Sequence, residues 1–255
     1  MHVTLFIKSY PKDFEWLRYA VQSINRYVRG IEEILIAVPK EALSAFPINT
    51  ALSHHVHAVA LAEPDNVDGY MYQQVVKLNA DAIIASAQLA EHCDHVLFSD
   101  SDVIFTRPWQ PQDNFVGGKP LVLHTPYRLL VDRNGKPDTP WQPITEKAVG
   151  FPVEFEYMRR HELIVPIDLL AGFRVYMQEI HKQPVDHYIL SQTRREFSEF
   201  NAFMAWAHRY ATDRFHWINT ETDPIPPIHH KQFWSWSGLT REEKGEIVGI
   251  LRARL

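Results

Sequence analysis

The stretch DHVLFSDSDVIFTRP, residues 94–108, decides how the rest of the chain is read. An apolar run enters Asp100-Ser101-Asp102, and a second apolar triplet follows before Thr106-Arg107-Pro108. Apolar runs without polar alternation belong to strands covered on both faces. Ending such a strand on two carboxylates one residue apart sets like charges together, which is costly unless a cation lies between them. In open α/β sheets, ligands bind beyond the carboxyl ends of the strands. Side-chain alternation along extended backbone predicts Asp100 and Asp102 on one side, where hard oxygens suit Mg²⁺ or Mn²⁺. The competing reading makes one aspartate a turn cap and the other a surface charge.

Outward from this stretch, strand and helix alternate. HVTLFIK (2–8), EEILIAVP (32–39), HVHAVAL (55–61), HVLFSD (95–100) and KPLVLHTPY (119–127) are strand-like. Between them, Asp13 caps a helix carrying Phe14, Leu17, Val21, Ile24 and Val28 at helical spacing, KEALSAF (40–46) is a short helix, and residues 70–90 form a long one. That grammar predicts an α/β fold with a mostly parallel central sheet flanked by helices. From Tyr127 the pattern changes. DRNGKPD (132–138) signals a hairpin turn, and helices are expected over 141–148, 167–181 and 197–210. RFHWINT (214–220) is a further strand, and Thr240 with Glu243 forms a capping-box spacing for a last helix reaching Leu255. No internal repeat or low-complexity linker interrupts the chain. The expectation is one domain over 1–255, with 1–125 as the nucleotide-binding half and 126–255 supplying walls and a lid.

Composition narrows the classes. The chain has 255 residues, 45% apolar and 22% charged, with a formal net charge of −5. It offers no basic field for a nucleic-acid backbone. Cys93 is the only cysteine, which excludes internal disulfides and a CxxC site. No apolar run is long enough for a spanning helix, and the start has no basic n-region, so no transmembrane segment and a cytoplasmic location are expected.

VLFSDSDVIFTRP (96–108) resembles the Asp-x-Asp element of the GT-A-type, nucleotide-sugar-dependent glycosyltransferases. GYMYQQVVKLNADAII (69–84) is similar to a Gln-Gln-x-x-Lys-Leu helix that precedes the motif in a group of bacterial glycosyltransferase-like proteins. EYMRRHELIVP (156–166) and RREFSEFNAFMAWAH (194–208) resemble further segments of that group. The resemblance implies a GT-A-like fold and transfer of a sugar from a nucleoside diphosphate donor, a UDP-sugar being favoured, to a carbohydrate or glycoconjugate hydroxyl. It implies Mn²⁺ or Mg²⁺ on Asp100 and Asp102, with His229 or His230 as a further ligand and Lys231 on the diphosphate. Gln74 and Lys77 on the preceding helix, Ser101 within the motif and Trp234 complete the donor-binding set under this reading.

Residue chemistry adds to this. Lys77 sits one turn after Gln73 and Gln74, so one helix face presents amide and ammonium together; the plain alternative is an exposed lysine. Glu199 falls on the entry turn of a helix, where a carboxylate is stabilised as the anion and suits a catalytic base; dipole compensation alone is the alternative. Asn201 is a companion able to hydrogen-bond a sugar. Lys8, Ser9 and Tyr10 end the first strand, where a base or ribose lies in this architecture. PIPPIHHKQFWSWSG (224–238) reads as a Pro-bounded lid, with at least one of Trp234 and Trp236 packing the last helix. His54, His55 and His57 lack a third ligand and are read as strand-face residues. Two other functions compete: a haloacid-dehalogenase-like phosphatase, whose later acidic cluster is missing from this sequence, and a non-catalytic nucleotide- or carbohydrate-binding protein of the same fold.

Overall fold

The structure, a computed structural model, describes residues 1–31, 33–46, 55–64, 66–158 and 162–253. The strands are β1 Val3–Lys8, β2 Glu33–Pro39, β3 His55–Leu61, β4 His95–Asp100, β5 Val103–Phe105, β6 Phe115–Val116, β7 Lys119–Pro126, β8 Phe155–Glu156, β9 Leu163–Pro166, β10 His216–Asn219 and β11 His230–Gln232. The helices are α1 Phe14–Tyr27, α2 Gly69–Leu78, α3 Ala80–Ser86, α4 Trp141–Val149, α5 Asp168–His181, α6 Val185–Leu190, α7 Glu199–Tyr210 and α8 Arg241–Arg252.

Every residue of β1 is buried, as a strand covered on both faces requires. It is central in a five-stranded sheet ordered β3-β2-β1-β4-β9, in which all pairs are parallel except β4 with β9. The chain leaves β1 toward β2 and β3 on one side and returns to β4 on the other. The carboxyl ends of β1 and β4 therefore form the topological switch point, the place such sheets hold ligands. A second sheet runs β10-β7-β6 with β8 on β7, and β5 pairs with β11 in a short antiparallel ladder. The fold is mixed α/β with a mostly parallel central sheet, as the alternating pattern implied.

The core joins early and late segments. Phe6, Met71, Phe98, Phe173, Phe203 and Phe215 belong to one apolar cluster. α7 is buried on nearly all sides, from Ala202 to Ala207, so it passes through the interior rather than over the surface. α2 is capped by Asp68, whose carboxylate accepts from the Tyr70 and Met71 N–H groups.

Several local expectations change. The long helix over 70–90 breaks at Asn79, whose side-chain amide donates to the Val75 carbonyl and to Asp186 Oδ1, each at 2.9 Å. A side chain that bonds back to the preceding turn competes with helix continuation. Asp13 makes no capping hydrogen bond; it ends a 3₁₀ turn over Pro11–Asp13 ahead of α1. KEALSAF is 3₁₀ over Lys40–Ala45. The Asn-Gly segment closes with Asp132 Oδ1 accepting from the Asn134 and Lys136 N–H groups and a single bridge from Val131 to Pro137. α8 has the full Thr240–Glu243 capping box. His54 and residues 159–161 of the EYMRRHELIVP segment lie outside the described residues, as do 254 and 255 of the expected last helix.

Candidate functional site

A cleft of about 830 Å³ opens at the switch point, and Lys8, Lys77, Asp100, Ser101, Asp102 and Glu199 all line it. Register explains why the first and fourth strands meet there: Lys8 stands opposite Asp100. One residue further on, the Ser101 hydroxyl donates to Ser9 Oγ at 2.8 Å, and both serines are buried. β4 ends at Asp100, and Ser101-Asp102 forms the turn into β5. Both aspartates face the cleft because the chain turns, not because a strand alternates.

The positive group beside Asp100 is Lys77. Its Nζ lies 2.9 Å from Asp100 Oδ1 and 3.1 Å from Glu199 Oε1, a bridge joining α2, β4 and α7. Burial works to lower the Lys77 pKa, but the charges of Asp100 and Glu199 outweigh it, and the ammonium is held above its ordinary value. The Lys77 and Glu199 side chains are only 4% and 7% exposed, so this contact is far less screened than a surface pair. Gln74, one turn earlier on α2, locks α7 in place: its Oε1 accepts from the Glu199 N–H at 3.0 Å. That bond satisfies one of the orphan donors at the helix start.

Asp102 is held differently. Its Oδ2 accepts from the Ser235 N–H at 2.7 Å, tying the motif to the segment after β11. Its Oδ1 is buried without a hydrogen-bond partner. Burial first, and the Asp100 charge second, push the Asp102 pKa up, against lowering contributions from Ser235 and Gln232. A buried carboxylate oxygen with no donor is an expensive feature, and a hard cation would satisfy it. Two carboxylates with substrate oxygens filling the remaining positions suit Mg²⁺ or Mn²⁺. Among the described residues, no three His, Cys, Asp or Glu side chains converge in a metal-holding group. The foreseen third ligand is thus not drawn in. His230 Nδ1 lies 3.0 Å from Glu162 Oε1, and the His229 N–H donates to that same oxygen.

The remaining expected residues divide. Lys8 lines the cleft but is paired with Glu63 at 2.7 Å; burial lowers its pKa against that partner. Its ammonium also lies 3.9 Å over the Tyr10 ring. The Tyr10 hydroxyl donates to the Gly69 carbonyl, outside the cleft lining. Asn201 is wholly buried, accepting from the Tyr157 N–H and donating to Ser198 Oγ, so it braces α7 and does not face the cleft. Gln74 is likewise consumed by the fold, and its neighbour Gln73 lines the cleft instead. Lys231 points away: on β11 it alternates with His230 and Gln232, which line the cleft, and its Nζ meets Glu246 at 2.5 Å. Trp234 and Trp236 both line the cleft and are 41% and 71% exposed. The aromatic residue packing the last helix is Phe233, clustered with Trp16 and Ile247. His57 bonds Glu33 across two strands, as a strand-face residue does.

Sequence reasoning passed over Asp13, Glu156, Glu162 and Arg195, all of which line the cleft. Glu156, Glu162 and Arg195 stand in the segments 156–166 and 194–208, but only tertiary contact brings them, with Asp13, to the cleft. Among the described residues no helix is long and apolar enough to cross a membrane. No protein-family model matches the chain, and no curated protein matches it.

Proposed function

We propose that the protein is a metal-dependent glycosyltransferase of the GT-A type, moving a sugar from a nucleoside diphosphate donor, a UDP-sugar first, to an acceptor hydroxyl. The observation that carries this reading is Asp102 Oδ1, buried and without a donor beside Asp100 at the switch point of a parallel sheet. Asp100 and Asp102 would hold Mg²⁺ or Mn²⁺, which when bound supplies neutralising charge to the leaving diphosphate. The acceptor oxygen bonds to the anomeric carbon, the carbon–oxygen bond to the diphosphate breaks, and Glu199 takes the hydroxyl proton. General-base assistance of this kind contributes typically about 10² to 10⁴ in rate. Lys77 holds Asp100 and Glu199 by one ammonium, fixing the metal-side and proton-accepting carboxylates relative to each other across the cleft. Ser101 lines the cleft between the two aspartates, while Ser9, fully buried behind it, accepts from its hydroxyl and positions it.

Calorimetric titration with UDP, with and without Mn²⁺, tests the reading. Binding should tighten at least about tenfold when the cation is present, a coupling of a size usual between linked ligands. UDP affinity indifferent to Mn²⁺, or no UDP binding at all, would refute it.

A further inference from the structure

We propose that Arg195, Trp234 and Trp236 form an acceptor subsite for an acidic sugar, one whose ring stacks on indole and whose carboxylate enters the arginine fork. This rests on the glycosyl-transfer reading only for the word acceptor; recognition of an acidic sugar stands on the lip of the cleft itself.

Among the described residues, the cleft is lined by the carboxylates of Asp13, Asp100, Asp102, Glu156, Glu162 and Glu199, against the side-chain cations Lys8, Lys77 and Arg195. Both lysines are consumed, Lys8 by Glu63 and Lys77 by Asp100 and Glu199. Arg195 is exposed and lies over the Trp236 ring, Cζ 4.9 Å from its centroid, with no carboxylate partner among the described residues. The adjacent Arg194, by contrast, pairs with Asp68. A guanidinium laid on an indole keeps its donor edge free while the ring fixes its plane. That edge matches a carboxylate bidentately.

Backbone conformation points to the same place. Arg195 and Trp234 have φ of 70° and 59°, left-handed values that cost free energy in residues with a β-carbon. Trp234 and Trp236 lie edge to face with centroids 5.5 Å apart, so their exposed rings form one contiguous apolar patch, the kind of surface that marks a binding groove. Arg195 also opens the segment that runs directly into Glu199, so an anion it grips lies on the side of the cleft where the proton is taken. The aspartate pair, on β4 and its turn, is left to the donor diphosphate.

Tryptophan-fluorescence and saturation-transfer NMR titrations with methyl glucuronide, methyl glucoside and glucose 6-phosphate test this on the full chain, with a UDP and Mn²⁺ titration run beside them. Methyl glucuronide should bind about tenfold tighter than the neutral glucoside, as one charge-assisted pair provides. R195Q should erase that preference while UDP affinity holds, and W236A should weaken both glycosides. R195N, suited to left-handed backbone, should lose the preference with an unchanged or higher melting point, separating lost recognition from lost fold. Equal or absent binding of the two glycosides, or a preference surviving R195Q, overturns the proposal. So does tighter binding of glucose 6-phosphate, or loss of UDP binding in R195Q, which would give Arg195 to the donor. A glucuronide preference without any UDP binding would sink the transferase reading and leave the acidic-sugar site standing.

Discussion

At the residue scale, the two aspartates illustrate how differently like groups can be held. Asp100 is matched by Lys77, whereas Asp102 keeps one buried oxygen unanswered. Its pKa is raised in the fold, from an ordinary 3.8. The ionised form is thus disfavoured there, and the cost is fully present above the folded pKa and absent below 3.8, where both states are protonated. D102N removes the charge while its amide oxygen can still accept from Ser235. It should stabilise the ligand-free protein at pH 7 by about 1 kcal/mol, as relief of a functional site commonly does. Urea melts should show the gain fading toward pH 4, and Mn²⁺-dependent UDP binding should be lost. Lys77 behaves in the opposite sense. K77M strands the buried Glu199 carboxylate and should cost about 3 to 5 kcal/mol. Adding E199Q should recover a large part of that loss; a double variant no more stable than K77M would show that Lys77 contributes through packing and not charge.

At the element scale, α7 carries Glu199 to the cleft, and Gln74 fixes where that helix begins. Q74A should cost about 1 to 2 kcal/mol, the usual penalty for a lost helix-start acceptor in a buried place. Hydrogen exchange should quicken at the first turn of α7 and leave α5 unchanged. This contact also shows where reading the sequence stops. Strands β1 to β4 were legible because buried parallel strands are continuous apolar runs, and α8 because its capping box is local. The place of the Asp-x-Asp pair was legible too, as charge ending an apolar strand, but the turn that aims both carboxylates was not. Which of Gln73 and Gln74 faces the cleft was not, since one step along a helix turns a side chain by about 100° and only the packing of α7 fixes the phase. The Lys77–Glu199 bridge spans 122 positions, and nothing local announces it. β9 and β11 were missed for the same reason: short strands declare themselves through partners distant in sequence. Lys231 was misplaced by alternation, because pairing of β11 with β5 turns it toward α8 while its neighbours face the cleft.

At the scale of the whole molecule, the second half must stay packed on the first for the cleft to exist, and a buried histidine makes that packing sensitive to acid. His124, on β7, is 6% exposed and enclosed by Phe155, Tyr157, His208 and Trp217. Its Nδ1 has no hydrogen-bond partner. Burial first, then the neighbouring His208, lower its pKa to about 4, only partly opposed by Asp223. His208 is lowered in the same direction by burial, while its Nδ1 lies 2.8 Å from the Tyr157 hydroxyl. The unfolded chain takes up a proton near pH 6.5, and the folded chain holds His124 neutral until about pH 4. Between these values the unfolded state binds more protons, so stability falls as pH falls. The His124 contribution to that loss is about 3 kcal/mol across the window. H124F keeps an aromatic ring in the same cage and removes an unpartnered polar atom, a change close to neutral at pH 7. Its advantage over the parent protein should then grow steadily on acidification and level off near pH 4. Urea midpoints for the two proteins at half-unit pH steps measure this directly. Curves that stay parallel from pH 7 to 4 would mean that His124 protonates as readily folded as unfolded, and that the cage is open to water.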